Sequence, residues 1–239
     1  MRAMIDSHHS GRYDATDAQW RAMLSELAEA SVFSGTEAAG VKLGQLLPDA
    51  ARFFRVGDSF VGWKHEHWRL LGDFPVMLTQ KSWSPGGNIR RHGVPMPCVL
   101  LEDRSSGAVL LRGAFHGPSG IQGGAGWSRK AEDRDNVAAA KDVLSNLESS
   151  LRHMRGLFHP DHFTIAADWN AHLEVNEWAR RINAALDPVP HMRIVVPIKP
   201  THGDRAIDGH ATTLPVRARR VGQKMAGFDH RRETIRTGR

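Results

Sequence analysis

Residues 163–170, Phe163-Thr164-Ile165-Ala166-Ala167-Asp168-Trp169-Asn170, form an apolar, partly β-branched run that ends on a carboxylate and an amide. Such a run reads as a buried strand. Residues two apart on a strand point to one face, so Asp168 and Asn170 project together. A carboxylate there can touch a metal ion or an attacking water. A neutral amide can donate to a phosphate oxygen without adding repulsion. Two later stretches repeat the theme, Ala206-Ile207-Asp208 and Gly227-Phe228-Asp229-His230. Any one of these acids, alone, reads as a turn or cap. Three in series, each following or closing a strand-like run, read as a site. Carboxylates gathered from several strand ends suit a hard divalent cation, and a neighbouring imidazole can move a proton. That pairing fits hydrolysis of a phosphate ester. Asp229 and His230 are adjacent, so one can face a cation while the other faces phosphate. Asp208 is the natural carboxylate to orient His230.

The chain around these motifs alternates between strand and helix signals. Residues 1–9 can form a short strand. Asp14 to Glu29 reads as a helix, capped by Asp14 or Thr16, with Trp20, Met23, Leu24 and Leu27 as its apolar stripe. Residues 31–37 make a strand ending on Glu37, and 41–51 a helix broken at Pro48. Short apolar or alternating runs at 59–64, 68–71, 76–79, 98–102 and 108–115 make the middle strand-rich, with a hairpin turn at 103–107. A Gly-rich loop, 117–126, follows His116. Helices are expected at 134–154 and 175–186, and strands at 193–198 and about 212–216. No repeat or linker interrupts the alternation, so one mixed α/β domain over residues 1–239 is expected.

Composition narrows the classes. Apolar residues make up 41% of the 239, enough for a core. A single cysteine, Cys98, excludes an intrachain disulfide and fits a reducing compartment. There is no apolar leader at Met1–Asp6 and no run long enough to span a bilayer, so a soluble cytoplasmic protein without a membrane partner is expected. Of 32 basic and 26 acidic side chains, residues 211–239 hold 8 and 2, leaving 24 of each before them. The whole net charge of +6 therefore surrounds the last motif. A basic segment beside a phosphate-cleaving site would attract a polyanion; the plainer reading is a tail that aids solubility.

The motifs together resemble the endonuclease/exonuclease/phosphatase superfamily, which includes pancreatic-type deoxyribonucleases and exonuclease III-like enzymes. Ala167-Asp168-Trp169-Asn170 is similar to that family's Gly-Asp-Phe-Asn, Ile207-Asp208 to its Ile-Asp, and Phe228-Asp229-His230 to its Ser-Asp-His. Val32–Glu37 resembles its early strand ending in a metal-binding Glu, and Leu110–His116 its strand ending in a phosphate-contacting His. The resemblance implies a four-layer α/β sandwich, two packed mixed sheets flanked by helices. It implies Glu37 as the principal Mg²⁺ or Mn²⁺ ligand with Asp229 close to the metal. Asp168 would position or deprotonate water, Asn170 and His116 would bind phosphoryl oxygens, and His230, oriented by Asp208, would act as acid/base or stabilise the transition state. Whether Asp168 or His230 is the base stays open.

Some positions depart from the pattern. The family's first-strand Asn aligns with Asp6, a further candidate metal ligand, and His8 or His9 is read as a solvated turn residue. Asp58 is the nearest acid to pair with His116. Arg231, following His230, is a candidate substrate-binding residue. Specificity is expected from loops at Ser82–Met96 and Gly117–Trp127, with Trp127 placed to stack on a base. The expected function is a metal-dependent phosphodiesterase, most directly a nuclease on DNA, with RNA open. The alternatives are a phosphatase or phosphodiesterase on a small phosphorylated molecule such as a phosphoinositide, and a catalytically silent nucleic-acid-binding protein.

Overall fold

Strand alternation and helix stripes sort the chain into four stacked layers in the computed structural model, which describes residues 3–9, 15–86, 89–121, 134–174, 177–202, 205–226, 228 and 230–237. The first sheet contains β1 (Met4–His9), β2 (Val32–Thr36), β3 (Ala51–Val56), β4 (Ser59–Lys64), β11 (Val216–Lys224) and β12 (Arg231–Thr237), in the order β11-β12-β1-β2-β4-β3. The second contains β5 (Trp68–Gly86), β6 (Ile89–Asp103), β7 (Val109–His116), β8 (His162–Asp168), β9 (Arg193–Val195) and β10 (Asp208–Thr212), in the order β5-β6-β7-β8-β10-β9. Each sheet is mixed: β1 and β2 are parallel in one, β7 and β8 in the other, and the remaining pairs are antiparallel.

Helices α1 (Asp17–Leu27) and α2 (Leu43–Leu46) cover the first sheet, and α3 (Arg134–Phe158) and α4 (Glu177–Leu186) the second. Between the sheets lie Ile5, Val32, Val61, Val99, Leu110 and Ile235 among others. This is the four-layer sandwich expected from the motifs. Thr16 caps α1 through a reciprocal box with Gln19. No helix among the described residues is long and apolar enough to cross a membrane.

Four expectations change. The helix expected at 41–51 shrinks to α2, because Leu47 turns extended ahead of Pro48 and Ala51 already begins β3. Ser82–Met96 belongs to β5 and β6, a long hairpin with several register shifts, rather than to a free loop. The strand placed near 212–216 runs instead from Asp208 to Thr212, and the strand of 193–198 stops at Val195. Of the two readings of the basic C-terminal segment, the solubilising tail does not fit: β11 and β12 extend the first sheet from β1.

Candidate active site

Register alone gathers the acidic series. In the parallel pair β7·β8, His116 lies opposite Asp168, and in the antiparallel pair β8·β10, Asp208 lies opposite Asp168. Three neighbouring strand ends thus present an imidazole and two carboxylates in a row. The facing sheet supplies Glu37 just after β2, Asp58 from the β3–β4 turn, and His230 just before β12. Small ties hold these ends. Gly117 N–H donates to Asp168 O at 2.7 Å, and Asn170 Nδ2 donates to Gly117 O at 2.8 Å. Thr201 Oγ1 accepts from the amides of Ile207 and Asp208 at 3.2 and 3.1 Å. Trp169 packs edge-on against Phe115 and its Nε1 donates to Gly209 O at 3.2 Å, pinning β8 to β10.

His230 Nδ1 lies 2.7 Å from Asp208 Oδ2, both side chains being buried. That length is a charge-assisted bond and sets the tautomer that carries hydrogen on Nδ1. Nε2 is then turned toward Asp168, 3.9 Å from Oδ2. Asp168 is 3.7 Å from His116 Nε2 on its other side. Burial, then Asp208, raise the Asp168 carboxyl to about 6 against the lowering effect of His230 and His116, with Glu37 adding to the rise. Asn170 N–H donates to Asp168 Oδ1 at 2.9 Å, and Asn170 itself sits at φ 48°.

A second cluster faces it. His116 Nδ1 is 3.4 Å from Asp58 Oδ2 and 3.8 Å from Glu37 Oε1. Burial alone would depress this imidazole, but Glu37, the Asp58 hydrogen bond and Asp168 outweigh it and hold its pKa above the usual value. Arg91, reaching in from β6, ion-pairs with Asp58 and comes within 4.0 Å of Glu37 Oε1. Its guanidinium lies over the Trp83 ring, and Trp83 meets His116 edge-on. Arg91 Nη1 also lies 3.2 Å from His116 Nδ1. With His116 protonated both atoms are donors, so the Asp58 carboxylate between them is the shared acceptor. Burial lowers Arg91 to about 10, opposed by Asp168.

The structure therefore brings Glu37, His116, Asp168, Asn170, Asp208 and His230 to one end of the sandwich, with Asp58 beside His116. Asp6 is not brought there. Ile5 and Ser7 turn inward between the sheets, Ser7 reaching His210 on β10. Met4, Asp6 and His8 turn outward beneath α1. Asp6 pairs in register with Phe33, four residues short of Glu37, and lies 3.4 Å from Arg232 Nε. Burial lifts its carboxyl to about 8, Arg232 only partly offsetting this. His8 is fully buried against Phe228, not a solvated turn residue. The same Phe228 packs on Trp20, which accounts for a ring where the family motif has Ser. Asp229 and Trp127 lie outside the described residues. Arg231 is half-buried, its amide donating to Thr201 O.

Sequence reasoning missed Arg91, Trp83 and His202. The His202 ring lies 4.5 Å from that of His230, and its Nδ1 is 2.8 Å from Arg205 Nη2. A basic Arg90-Arg91-His92 stretch was the only signal for Arg91.

A cation fits this end of the molecule. Asp168, Asp208 and His230 offer ligand atoms within 4.8 Å of one another. Four buried or nearly buried carboxylates, Glu37, Asp58, Asp168 and Asp208, outnumber the charges of Arg91 and the two histidines, and the raised Asp168 shows the excess. These carboxylates are hard oxygen donors, suited to a hard divalent cation.

No family model and no curated protein matches the sequence. Solved structures do match in three dimensions. An endonuclease/exonuclease/phosphatase protein from Bacteroides vulgatus superposes with a TM-score of 0.74 at 10% identity, over 100% of this chain and 99% of that one. A Bacteroides thetaiotaomicron mannosyl-6-phosphatase gives 0.69 at 8%, over 97% and 98%. D. rerio TDP2, solved with a single-strand DNA product, gives 0.68 at 11%, over 100% and 99%. The chain has the fold of the endonuclease/exonuclease/phosphatase proteins.

Proposed function

We propose that the protein is a divalent-metal-dependent phosphoesterase, and more specifically a phosphodiesterase that cleaves nucleic acid, DNA first. The observation that carries this reading is the Asp208–His230 pair at 2.7 Å, with the Nε2 edge of the imidazole turned to Asp168. His230, fixed by Asp208, holds or moves a proton at Nε2. Asp168, titrating near neutrality, positions the attacking water or accepts its proton. His116, whose protonated form its neighbouring acids favour, and Arg91 attract the non-bridging phosphate oxygens. Asn170 directs its amide toward the same oxygens, with one N–H spent on Gly117. A bound cation would neutralise charge on the phosphoryl group.

Two carboxylate sets compete for that cation. Using His230 Nδ1 as a ligand would break its bond to Asp208. With that bond intact His230 Nε2 still faces Asp168, so the choice of Glu37 as holder, with Asp229 as its expected companion and Asp168 and Asp208 beside it, rests on reserving Nε2 for proton transfer. Asp6 has no place in this arrangement. The basic C-terminal strands and the DNA-bound D. rerio structure of the same fold support a polynucleotide substrate.

The test is cleavage of plasmid and oligonucleotide, DNA and RNA, with Mg²⁺, Mn²⁺ or EDTA. Absence of metal-dependent cleavage of either polymer removes the nuclease reading. A second reading, a phosphatase for a small phosphorylated molecule, is favoured by the mannosyl-6-phosphatase of the same fold. Release of inorganic phosphate from sugar phosphates or phosphoinositides, without polymer cleavage, selects it. Full function in both Asp168→Ala and His230→Ala removes catalysis by this site altogether.

A further inference from the structure

Both sheets end on the same side of the sandwich, the first on β11 and the second on β9. Between these two edges runs a cleft of about 530 Å³, lined by Arg193, Ile194, Ile198, Arg217, Ala218 and Arg219 among others. Among the described residues, none that lines it is acidic. Arg219 pairs across the strands with Ile235, and Val221 with Glu233, so Arg219 shares their inward face. Its Nη1 donates to Val196 O at 2.9 Å, which holds the guanidinium across the cleft. Arg231 has the same parity on β12 as Glu233 and Ile235, and it follows His230 directly. Because Lys224 pairs with Arg231, β11 runs from the far end of the sandwich to the catalytic end.

Charged edge strands also serve to prevent sheet-to-sheet aggregation, the bland account of this sequence. That purpose is met by either sign of charge. Here the sign is single, although acids are available nearby: on the outward face Arg232 meets Asp6, Glu26 and Glu29. The lining of the cleft has no such compensation: the acid nearest Arg219 is the buried Glu233, whose carboxyl burial holds well above its usual range, and residues 211–239 carry the entire net charge. An uncompensated row of arginines leading to a phosphate-cleaving site complements a phosphate backbone.

We propose that the β9–β11 cleft binds the phosphate backbone of a nucleic-acid strand and leads it to the His230 end. This rests on the nuclease reading of the site. Eight residue steps along β11 span about 26 Å, the length of about eight stacked nucleotides.

Binding of a fluorescently labelled single strand of about 12 nucleotides to the full chain, in EDTA and between about 25 and 200 mM salt, tests the proposal. Compared are the wild type, the triple variant Arg193→Gln/Arg217→Gln/Arg219→Gln, the same three positions changed to Lys, and Arg152→Gln on α3 as a distant control. The Gln triple is expected to bind at least about tenfold more weakly, with a salt slope shallower by about 2, roughly 0.7 for each lost phosphate contact. The Lys triple keeps most of the slope, and the control keeps all of it. Unchanged affinity and slope in the Gln triple overturn the proposal. So does equal loss in the Lys triple, which would mark a structural effect, or stronger arginine-dependent binding to phosphatidylserine vesicles than to the strand. Cleavage by the wild type, measured separately with metal, separates the two readings: cleavage with normal binding by the Gln triple discards the cleft alone, whereas neither binding nor cleavage discards both.

Discussion

Asp208→Asn keeps the shape of the residue and removes its charge, so it isolates what that charge does. The Asp208–His230 contact is 2.7 Å long between buried side chains. A hydrogen bond to a charged group contributes about 1.5–3 kcal/mol, and misplacing a general acid or base costs about 10²–10⁴ in rate. The expected loss in kcat is about 10²–10³, equivalent to about 3–4 kcal/mol. The fold should not suffer in step. Asp208 helps to raise both Asp168 and Glu233, so its neutralisation relieves two buried acids and leaves the Tm unchanged or higher. The sign for pH follows from the same repulsion. Without Asp208 the Asp168 carboxyl ionises more readily, its pKa falls below about 6, and the acidic limb of the rate profile moves to lower pH. Metal-dependent hydrolysis from about pH 5 to 9, with thermal melts, is measured for wild type, Asp208→Asn, His230→Ala and the double variant. Residues acting as one unit make the double variant no worse than His230→Ala alone. Multiplicative losses, or a loss under about threefold with an unmoved acidic limb, would refute the dyad.

Three further outcomes follow from local geometry. Gly117→Ala would put Cβ 2.9 Å from the backbone oxygen of Asp168, so kinetics should show the loop displaced and activity lost, with about 1–3 kcal/mol of destabilisation in denaturant melts; Gly156→Ala, with open space around it in α3, should instead stabilise by about 1 kcal/mol. Glu37 sits at φ 57°, so Glu37→Gly should be more stable than Glu37→Ala by about 1 kcal/mol while both lose metal-dependent activity; a less stable Gly variant in chemical melts would contradict this. Asp6 has a folded pKa of about 8 against 3.8 unfolded, so its protonated form favours folding below about pH 4 and that contribution is lost as pH rises to about 8; Asp6→Asn should match the wild type at low pH and exceed it at pH 8, by a ceiling of about 5 kcal/mol, and parallel Tm–pH curves would argue otherwise.

The legible part of the site was the part that register determines. Asp168 and His116 each close a strand of one sheet, so naming those strands placed them side by side; Asp208, which opens β10, was found by its motif and not by its strand, which the sequence put at 212–216. The series could not reveal which strands faced it, and Glu37 entered through the family resemblance. Asp6 illustrates a parity error. Its chemistry suited a metal, but one step along a strand reverses the face, and Ile5 and Ser7 take the inward positions. Arg91 was hidden for another reason. The β5–β6 hairpin shifts register between Thr79 and Ser82 and between Trp83 and Gly86, so no simple alternation says which side chain reaches the site. In β11 most residues are exposed and arginines replace apolar alternation, so the sequence showed no strand beyond Val216.

The rules that located the fold and those that located the site are opposed, and the opposition is itself informative. Much of the sandwich obeys ordinary economy, with apolar clusters between layers and a capped first helix, although Arg112, His210 and Glu233 are also buried between the sheets and Asp6 beneath α1. Of the four described non-glycine residues in the left-handed region, His159 and His191 sit in turns after α3 and α4, while two lie at the end that holds the site, Glu37 and Asn170, each one or two residues beyond a strand. Glycine would be less strained at either position, but it would carry neither a carboxylate nor an amide. The same end crowds carboxylates until one titrates near neutrality. Strain and repulsion persist together only where the rest of the structure holds them, and here the ties of Gly117, Thr201 and Trp169 do so. A site that only bound nucleic acid would be served by the arginines of β11 alone, without burying acids that repel it. The buried acids therefore point to chemistry on phosphate, and the arginines to how the phosphate arrives.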